Sequence, residues 1–514
     1  NLDTLKRISD ALMEYETIDA ADLDTLIAGN PLTREKPPPR VTTSPPKDEK
    51  KKDKRILDAL DATRVPAVEA GDDDSRPEAA SRRRAALVAA VYVVAFAWIL
   101  GKAALFRERV PPGIPPDETA HVSYAASVGG AAPRVPRYET ARLLDDAGRP
   151  GPLPNYLPHP SLYYVVTGSL ERLAAGGSPV PLATRTRRLR TASAPLFAAA
   201  AALFLWLGYR RIAPLAGHVT WAATVATVPP FAFVGAAVNN DVLAFLAGGV
   251  AFAGLSRRLD GKPDVVAGGL AGAGLALALF AKATAGLLVG FTLLGVVLLA
   301  RRDEPEGKDG PFLLALLPGL LLPALHYLPV LVRYGTPLPT LAVVNPEAFA
   351  RSAFLAPPGA TILPLGEWAW KVAAVFASTA VSIVAHVAVP VGPAWTLAGP
   401  LLLLALAAWG LLRPARVGPP EDRPARVLAL AAALALTATL LLNLVWARAG
   451  YLVSGRVSGM HARYYLPLLP YLALAAALGV RRLPARAWIA AALALLLVAA
   501  DVGVTARFLA LVAR

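Results

Sequence analysis

The stretch Pro115-Pro116-Asp117-Glu118-Thr119-Ala120-His121-Val122-Ser123-Tyr124 joins the first two apolar segments of a chain that is mostly apolar. The first segment runs from Ala85 to Phe106, and the second begins near His159. Between them the chain is polar and rich in proline as far as Pro158. Two adjacent carboxylates and a histidine are therefore predicted to lie just outside a membrane, beside the first spanning helix. This is where we expect any chemistry of the chain.

Composition places the chain among polytopic membrane proteins. Of its 514 residues, 55% are hydrophobic and 17% are charged, and the mean hydropathy is +0.47. There are no cysteines, which excludes disulfides and thiolate metal sites. The net charge of +15 is expected in cytoplasmic loops and against anionic lipid headgroups. No basic run is interleaved with aromatic residues, so we expect membrane lipids and no nucleic acid as partners.

Apolar runs of about the length of a spanning helix recur along the chain. They lie at residues 85–106, 160–175, 191–208, 213–236, 240–256, 264–281, 284–300, 311–332, 371–391, 394–412, 426–446, 464–480 and 486–509. Several are short or interrupted by glycine and proline, as in re-entrant or interfacial segments. We predict an all-α fold, a polytopic transmembrane bundle of about 10 to 13 helices over residues 85–510.

Basic flanks predict the orientation of this bundle. Residues 82–84 are all arginine and directly precede the first apolar run, and Arg481 and Arg486 lie between the last two runs. Because positively charged loops stay in the cytoplasm, we expect a cytoplasmic N-terminus and an outer loop over residues 107–158. The same rule places Arg463 on the side of this outer loop.

Two further basic clusters cannot both be cytoplasmic, because one apolar run separates them. The first cluster spans residues 185–190 and contains four arginines, and the second is Arg210-Arg211. Either one of the two clusters faces outward, where it would suit a phosphate group, or a segment between Pro160 and Pro181 does not cross the membrane. We favour the second interpretation.

The first 84 residues differ from the rest. Residues 1–30 contain apolar positions at helical spacing and predict a short amphipathic helical segment. Residues 31–84 are rich in proline, lysine and aspartate and predict a disordered linker. The stretch from Leu5 to Asp19 resembles the C-terminal tail of the membrane-anchored AAA zinc metalloprotease FtsH, over about the first 40 residues. The chain lacks a His-Glu-x-x-His motif and a Walker A loop, so no catalytic activity is implied, and a gene fusion, read-through or assembly artefact is the favoured origin.

Several polar islands interrupt the apolar chain, and each has a structural alternative. Asp117 and Glu118 could act as a general base or bind a divalent cation, or form a solvated acidic turn. Asn240 and Asp241 could simply cap the next helix. Lys282 lies between two apolar runs and could be a loop lysine, because an intramembrane charge is costly.

The combination of islands carries a resemblance. An Asp-Glu pair in the first outer loop followed by His159-Pro160-Ser161-Leu162-Tyr163-Tyr164 resembles the GT-C type of integral-membrane glycosyltransferases. The motifs Pro116 to His121, Val238 to Asp241, Ala281 to Thr284 and Arg463 to Pro467 are more closely similar to a bacterial multi-pass family of unknown function that is grouped near these enzymes. The similarity spans residues 86–510.

This resemblance implies a function. GT-C enzymes pass a sugar from a polyprenyl-phosphate donor to an acceptor on the outer face of the bacterial inner membrane. It implies Asp117, with Glu118 beside it, as the catalytic base, or Asp117 as the ligand of a divalent cation such as Mg or Mn. Substrate contacts are implied for His121, His159, Tyr163, Asn240, Asp241, Lys282, Arg456 and Arg463. Of these, Lys282 and the two arginines are candidates to stabilise the leaving phosphate.

Two other functions stay open. A transporter or flippase of lipid-linked glycans would explain the helices and the intramembrane charge equally well, without requiring an Asp-Glu pair in an outer loop. The third possibility is a non-catalytic membrane protein such as an accessory scaffold.

Overall fold

The computed structural model describes residues 25, 28–30, 75–129, 137–175, 180–300, 309–352, 355–356, 361–383, 385, 393–412, 422–457 and 460–514. Most of the predicted N-terminal helical segment and most of the predicted linker lie outside these residues. The all-α prediction is confirmed: helices dominate the described residues of the compact unit Pro77–Arg514, and the strands described there form one short β-hairpin.

The helices are numbered here in chain order. They are α1 Ser75–Arg109, α2 Glu118–Val128, α3 Leu162–Ala175, α4 Leu182–Arg211, α5 Leu215–Thr227, α6 Pro229–Ala236, α7 Asp241–Leu259, α8 Val265–Ala281, α9 Ala283–Ala300, α10 Gly310–Leu321, α11 Ala324–Tyr334, α12 Leu341–Val344, α13 Pro346–Ala350, α14 Leu365–Val381, α15 Ala398–Leu412, α16 Arg423–Ser454, α17 Leu469–Arg481 and α18 Arg486–Val512. In the part of the chain that the structure describes, 3₁₀ segments lie at Tyr138–Thr140, Ala394–Leu397 and Ala462–Leu468.

Nine helical spans in the described part of the chain are long and apolar enough to cross a membrane. Helices α5 and α6, bent by 48° at Val228, form a tenth if they are counted as one span. A count of ten spans lies at the lower end of the predicted range of about 10 to 13 helices. Helix α3 has 14 residues, too short to cross, which agrees with the favoured interpretation of the basic clusters.

The described structure departs from the predicted boundaries in two places. Helix α1 begins at Ser75, so residues 75–84, predicted as linker, are helical; Pro77 fits the first turn of a helix, and alanines follow it. The predicted outer loop is partly ordered. It contains α2 and an antiparallel hairpin of β1 (Arg142–Leu144) and β2 (Pro150–Pro154).

Close approach of backbones fixes the helices that carry the polar islands. A Cβ atom added to Gly248 of α7 would lie 2.3 Å from the carbonyl oxygen of Pro467. One added to Gly274 of α8 would lie 2.5 Å from the backbone nitrogen of Ala251 in α7. Small residues allow such contacts between membrane helices. They bring the middle of α7 against Pro467 of the 3₁₀ segment Ala462–Leu468 and against α8.

Candidate active site at one end of the helix bundle

Asp117 lies at the start of α2 in an unusual backbone conformation. Its φ of 58° and ψ of 13° are left-handed, and it is the only non-glycine residue with positive φ in the described part of the chain. Aspartate tolerates this conformation better than most residues do. The turn projects the Asp117 carboxylate away from that of Glu118, so the two adjacent acids have different surroundings.

Glu118 is fully buried and bound on every side. Arg190 of α4 donates to it twice, from Nε at 2.8 Å and from Nη2 at 2.6 Å. The backbone N–H groups of Gly113 and Val238 also donate to its carboxylate, each at 3.1 Å. Four donors hold the Glu118 carboxylate in place, so in this structure Glu118 holds the turn that presents Asp117. A catalytic role for Glu118 beside Asp117 stays a prediction.

Arg190 also resolves the problem of the basic clusters. Besides Glu118, it donates to the carbonyl oxygens of Arg107, Val110 and Pro111 at the end of α1. The first cluster therefore lies at the Asp117 end of the bundle. Arg210 and Arg211 lie at the other end of the same helix, α4.

Tyr156 and Arg463 both contact the Asp117 carboxylate. The Tyr156 hydroxyl donates to Oδ1 at 3.0 Å, and Nη2 of Arg463 lies 3.4 Å from Oδ2. Burial, and next the Asp117 charge, raises the pKa of Tyr156, so its hydroxyl keeps its proton and remains a donor. The side chain of Asp117 keeps 30% of its exposure, which leaves it accessible to a substrate.

Asp241 and Lys282 meet where two helix ends converge. Asp241 opens α7, and Lys282 occupies the extended residue between α8 and α9. Lys282 Nζ lies 3.1 Å from Asp241 Oδ1 and 3.7 Å from the ring centroid of Tyr464. The adjacent Asn240 donates from Nδ2 to the carbonyl oxygen of Ala281 at 2.6 Å, which ties the start of α7 to the end of α8.

Arg463 connects the two acidic residues. Its side chain is 3% exposed, and its Nε lies 3.9 Å from Asp241 Oδ2, beyond hydrogen-bond distance. Several polar atoms in this cluster are buried without a hydrogen-bond partner in the described part of the chain. They are Nε and Nη1 of Arg463, Oδ2 of Asp241, Oδ1 of Asn240, Oγ1 of Thr284 and Nδ1 of His461. Buried polar groups normally have partners, so this concentration of unsatisfied atoms points to a polar ligand.

Three histidines border the cluster and are neutral near pH 7. Burial lowers the pKa of His159 to about 3 and that of His461 to about 4, and in each case Lys282 and Arg463 lower it further. Burial, and then the neighbouring His159, lowers the pKa of His121 well below its usual value. The rings of His121 and His159 are stacked with centroids 6.0 Å apart.

Two of the predicted substrate contacts lie elsewhere. Tyr163 is fully buried, with its hydroxyl 2.9 Å from Ser193 Oγ, and it accepts from the backbone N–H of Asn239 at 3.0 Å. Tyr163 therefore supports the loop that precedes Asp241. Arg456 is exposed, and its contacts among the described residues are backbone contacts with Ser454. The structure does not bring it into the cluster.

A divalent cation at Asp117 is not matched by the donor set. Mg²⁺ and Mn²⁺ prefer several oxygen ligands. Among the described residues, no three His, Cys, Asp or Glu side chains come together to hold a metal. Asp117 and Asp241 are instead contacted by the cations of Arg463 and Lys282.

Sequence reasoning missed three members of the site. Tyr156 lies in a proline-rich stretch without a motif, and Arg190 is one of several clustered arginines. Tyr464 lies within the Arg463 to Pro467 motif, where nothing in the sequence singles it out. A buried acid needs a cationic partner, so the need for a partner to Glu118 was the one signal that could have identified Arg190.

Comparisons with known proteins give one strong local match. No family model matches the chain. A stretch of 69 residues, 13% of the chain, is 59% identical to the ATP-dependent zinc metalloprotease FtsH of Myxococcus xanthus and covers 10% of that protein. This match confirms the predicted FtsH resemblance.

Two solved structures align with most of the chain. Crystal structures of ArnT from Cupriavidus metallidurans, in the apo state and bound to undecaprenyl phosphate, are 16% and 17% identical to it. The TM-scores are 0.39 and 0.38. The alignments cover 80% and 79% of this chain and 62% and 61% of ArnT. The chain therefore spans about three-fifths of the ArnT structures that it matches and one-tenth of FtsH.

Proposed function

We propose that this chain is a membrane glycosyltransferase that moves a sugar from a polyprenyl-phosphate donor to an acceptor on the outer face of a bacterial inner membrane. The observation that carries the proposal is the convergence of Asp117, Asp241, Lys282 and Arg463, which come from four distant segments. The partly exposed Asp117 carboxylate lies beside the Arg463 cation, and Lys282 lies beside Asp241. The cluster also contains buried polar atoms without hydrogen-bond partners among the described residues. A base next to an anion-binding group is what transfer from a phosphate carrier requires.

The proposed step is a single displacement. Asp117 takes the proton from an acceptor hydroxyl as the acceptor oxygen forms a bond to the anomeric carbon. The bond between that carbon and the donor phosphate oxygen breaks, and the polyprenyl phosphate leaves with the bonding electron pair. Such a displacement inverts the anomeric centre.

Two cations are available for the leaving phosphate. Two buried nitrogens of Arg463, Nε and Nη1, have no hydrogen-bond partner among the described residues. Lys282 is held by Asp241 and the Tyr464 ring. Developing negative charge is stabilised most by fixed donors in a site that excludes water. The Tyr156 hydroxyl donates to Oδ1 of Asp117 while Arg463 contacts Oδ2, and so Tyr156 helps to orient the carboxylate.

The experiment is donor consumption by the purified full chain in lipid nanodiscs. A panel of radiolabelled polyprenyl-phosphate sugars is supplied with a membrane lipid extract as the source of acceptor. We expect loss of one donor by the wild type and none by Asp117→Asn. A wild type that consumes no donor but moves one across liposome bilayers would identify a flippase and overturn the proposal.

A further inference from the structure

The opposite end of the bundle has two cavities that differ in charge. The larger one is a groove of about 350 Å³ between the start of α1, the end of α4 and the start of α5. The smaller cavity, of about 150 Å³, lies between the end of α4 and the end of α17. Each is lined by two arginines, Arg84 and Arg210 in the groove and Arg211 and Arg481 in the smaller cavity.

In the smaller cavity both arginines are neutralised. Arg211 is ion-paired with Asp260, and Arg481 Nη1 lies 2.5 Å from Asp422 Oδ1. No acidic side chain lines the groove among the described residues. Arg84 donates to the carbonyl oxygen of Ala213, an uncharged partner that does not offset the guanidinium charge. Of the two cavities, the groove therefore carries net positive charge on its described lining residues.

Contacts among Tyr92, Tyr209 and His218 fix the polar side chains beside the groove. The Tyr92 hydroxyl lies 3.0 Å from His218 Nδ1, and the ring of Tyr209 packs edge-on against Tyr92 with centroids 5.8 Å apart. Ser81 adds a hydroxyl at the rim. The rim thus combines a hydroxyl with the two cationic side chains.

An exposed apolar side chain lies one helical turn from each of the two cations. Leu87 follows Arg84 by one turn of α1 and is 56% exposed, and Trp206 precedes Arg210 by one turn of α4 and is 53% exposed. In a membrane-spanning bundle such side chains face lipid tails, and aromatic residues gather near the headgroup level. A cationic groove with exposed apolar side chains one turn from its cations complements an amphiphile with a negatively charged head.

We propose that this groove is a binding site for one anionic phospholipid, with its phosphate between Arg84 and Arg210 and its acyl chains along Leu87 and Trp206. Cations at a membrane surface attract acidic lipids, and arginine is well suited to phosphate. The site is at the other end of the bundle from Asp117 and does not depend on the proposed transfer reaction.

The test is native mass spectrometry of the full chain in detergent, titrated with phosphatidylglycerol, phosphatidylcholine or inorganic phosphate. We expect one phosphatidylglycerol to bind in preference to phosphatidylcholine. A basic residue near an anionic headgroup contributes about 1 kcal/mol, or roughly fivefold in affinity, so Arg84→Gln/Arg210→Gln should weaken binding about 25-fold. Arg84→Lys/Arg210→Lys keeps the charge and should retain most of the affinity.

The matched control is Arg486→Gln, an exposed arginine at the start of α18 that lies outside the groove and should leave binding unchanged. Equal losses in this control would show general surface charge and overturn the proposal, as would equal binding of phosphatidylcholine. Displacement of phosphatidylglycerol by inorganic phosphate would identify a free-phosphate site instead. If the glutamine double variant does not fold, the single variants Arg84→Gln and Arg210→Gln decide: each should weaken binding about fivefold, and unchanged binding in both would refute the proposal.

Discussion

Nη2 of Arg463 lies 3.4 Å from Oδ2 of Asp117, although 346 positions separate the two residues in the chain. The contact links the proposed base to the proposed phosphate ligand. A donor phosphate at Arg463 would compete with Asp117 for the guanidinium. Binding of the donor would thereby release the Asp117 carboxylate to accept a proton from the acceptor.

Replacing Arg463 tests the phosphate site. Arg463→Gln removes a buried cation that would make charge-assisted hydrogen bonds, each worth about 1.5–3 kcal/mol, so donor affinity should fall about 10- to 100-fold. Equilibrium binding of a labelled polyprenyl-phosphate sugar measures the loss. Arg456→Gln is the control, because Arg456 lies exposed outside the cluster and should have no effect.

The pair of Glu118 and Arg190 should govern stability. Glu118→Gln leaves Arg190 as a buried charge without its counter-ion, and breaking such a pair costs about 3–5 kcal/mol. Thermal unfolding in detergent should show a clear fall in the midpoint. Arg187→Gln, an exposed neighbour on α4, should leave the midpoint unchanged. A stable Glu118→Gln variant without activity would instead return Glu118 to the reaction.

Most of the helices could be predicted because apolar runs and their basic flanks are local features of the sequence. The run at residues 284–300 differs from α9 by one residue at its start. The order inside the outer loop could not be predicted, because α2 depends on the contact of Glu118 with Arg190, 72 positions away. The sequence motifs identify Asp241, Lys282 and Arg463 as candidate site residues. Only the packing of α7 against the 3₁₀ segment shows that they meet.

The orientation in the membrane can be tested with single cysteines, because the chain has none of its own. Ala147→Cys lies in the exposed hairpin turn near Asp117, and Ser81→Cys lies at the Arg84 end. Since basic flanks stay in the cytoplasm, an impermeant thiol reagent on spheroplasts should label Ala147→Cys alone. Labelling of Ser81→Cys alone would mean that the Asp117 end faces the cytoplasm and would contradict the predicted orientation. Permeabilised cells provide the control in which both cysteines react.

The neutral histidines predict sensitivity to acid. In the folded chain the pKa values of His159 and His461 are about 3 and about 4, and that of His121 is also depressed, whereas an unfolded histidine titrates near 6.5. The unfolded chain therefore binds more protons below pH 6.5, and stability falls as the pH drops from about 6.5 towards 4. Each histidine should remove about 1.4 kcal/mol per pH unit. Unfolding midpoints between pH 7 and 5 measure this, and His461→Asn should reduce the slope; an unchanged slope would refute the assignment.

Asp117→Asn is the most direct test of the chemistry. Asparagine matches the shape of aspartate and tolerates a left-handed backbone, so the turn with φ of 58° should survive the change. It removes the proton acceptor, and a positioned general base contributes about 10²–10⁴-fold in rate, so turnover should fall by that factor while donor affinity persists. Asp146→Asn, at an exposed position of the nearby hairpin, is the matched control and should transfer sugar at the wild-type rate. Tyr156→Phe should cause a smaller loss in turnover with little change in KM, because it loosens the carboxylate without removing it. If Asp117→Asn keeps more than about a tenth of the wild-type rate, less than the usual loss for a general base, then Asp117 is not the base and the proposed mechanism fails.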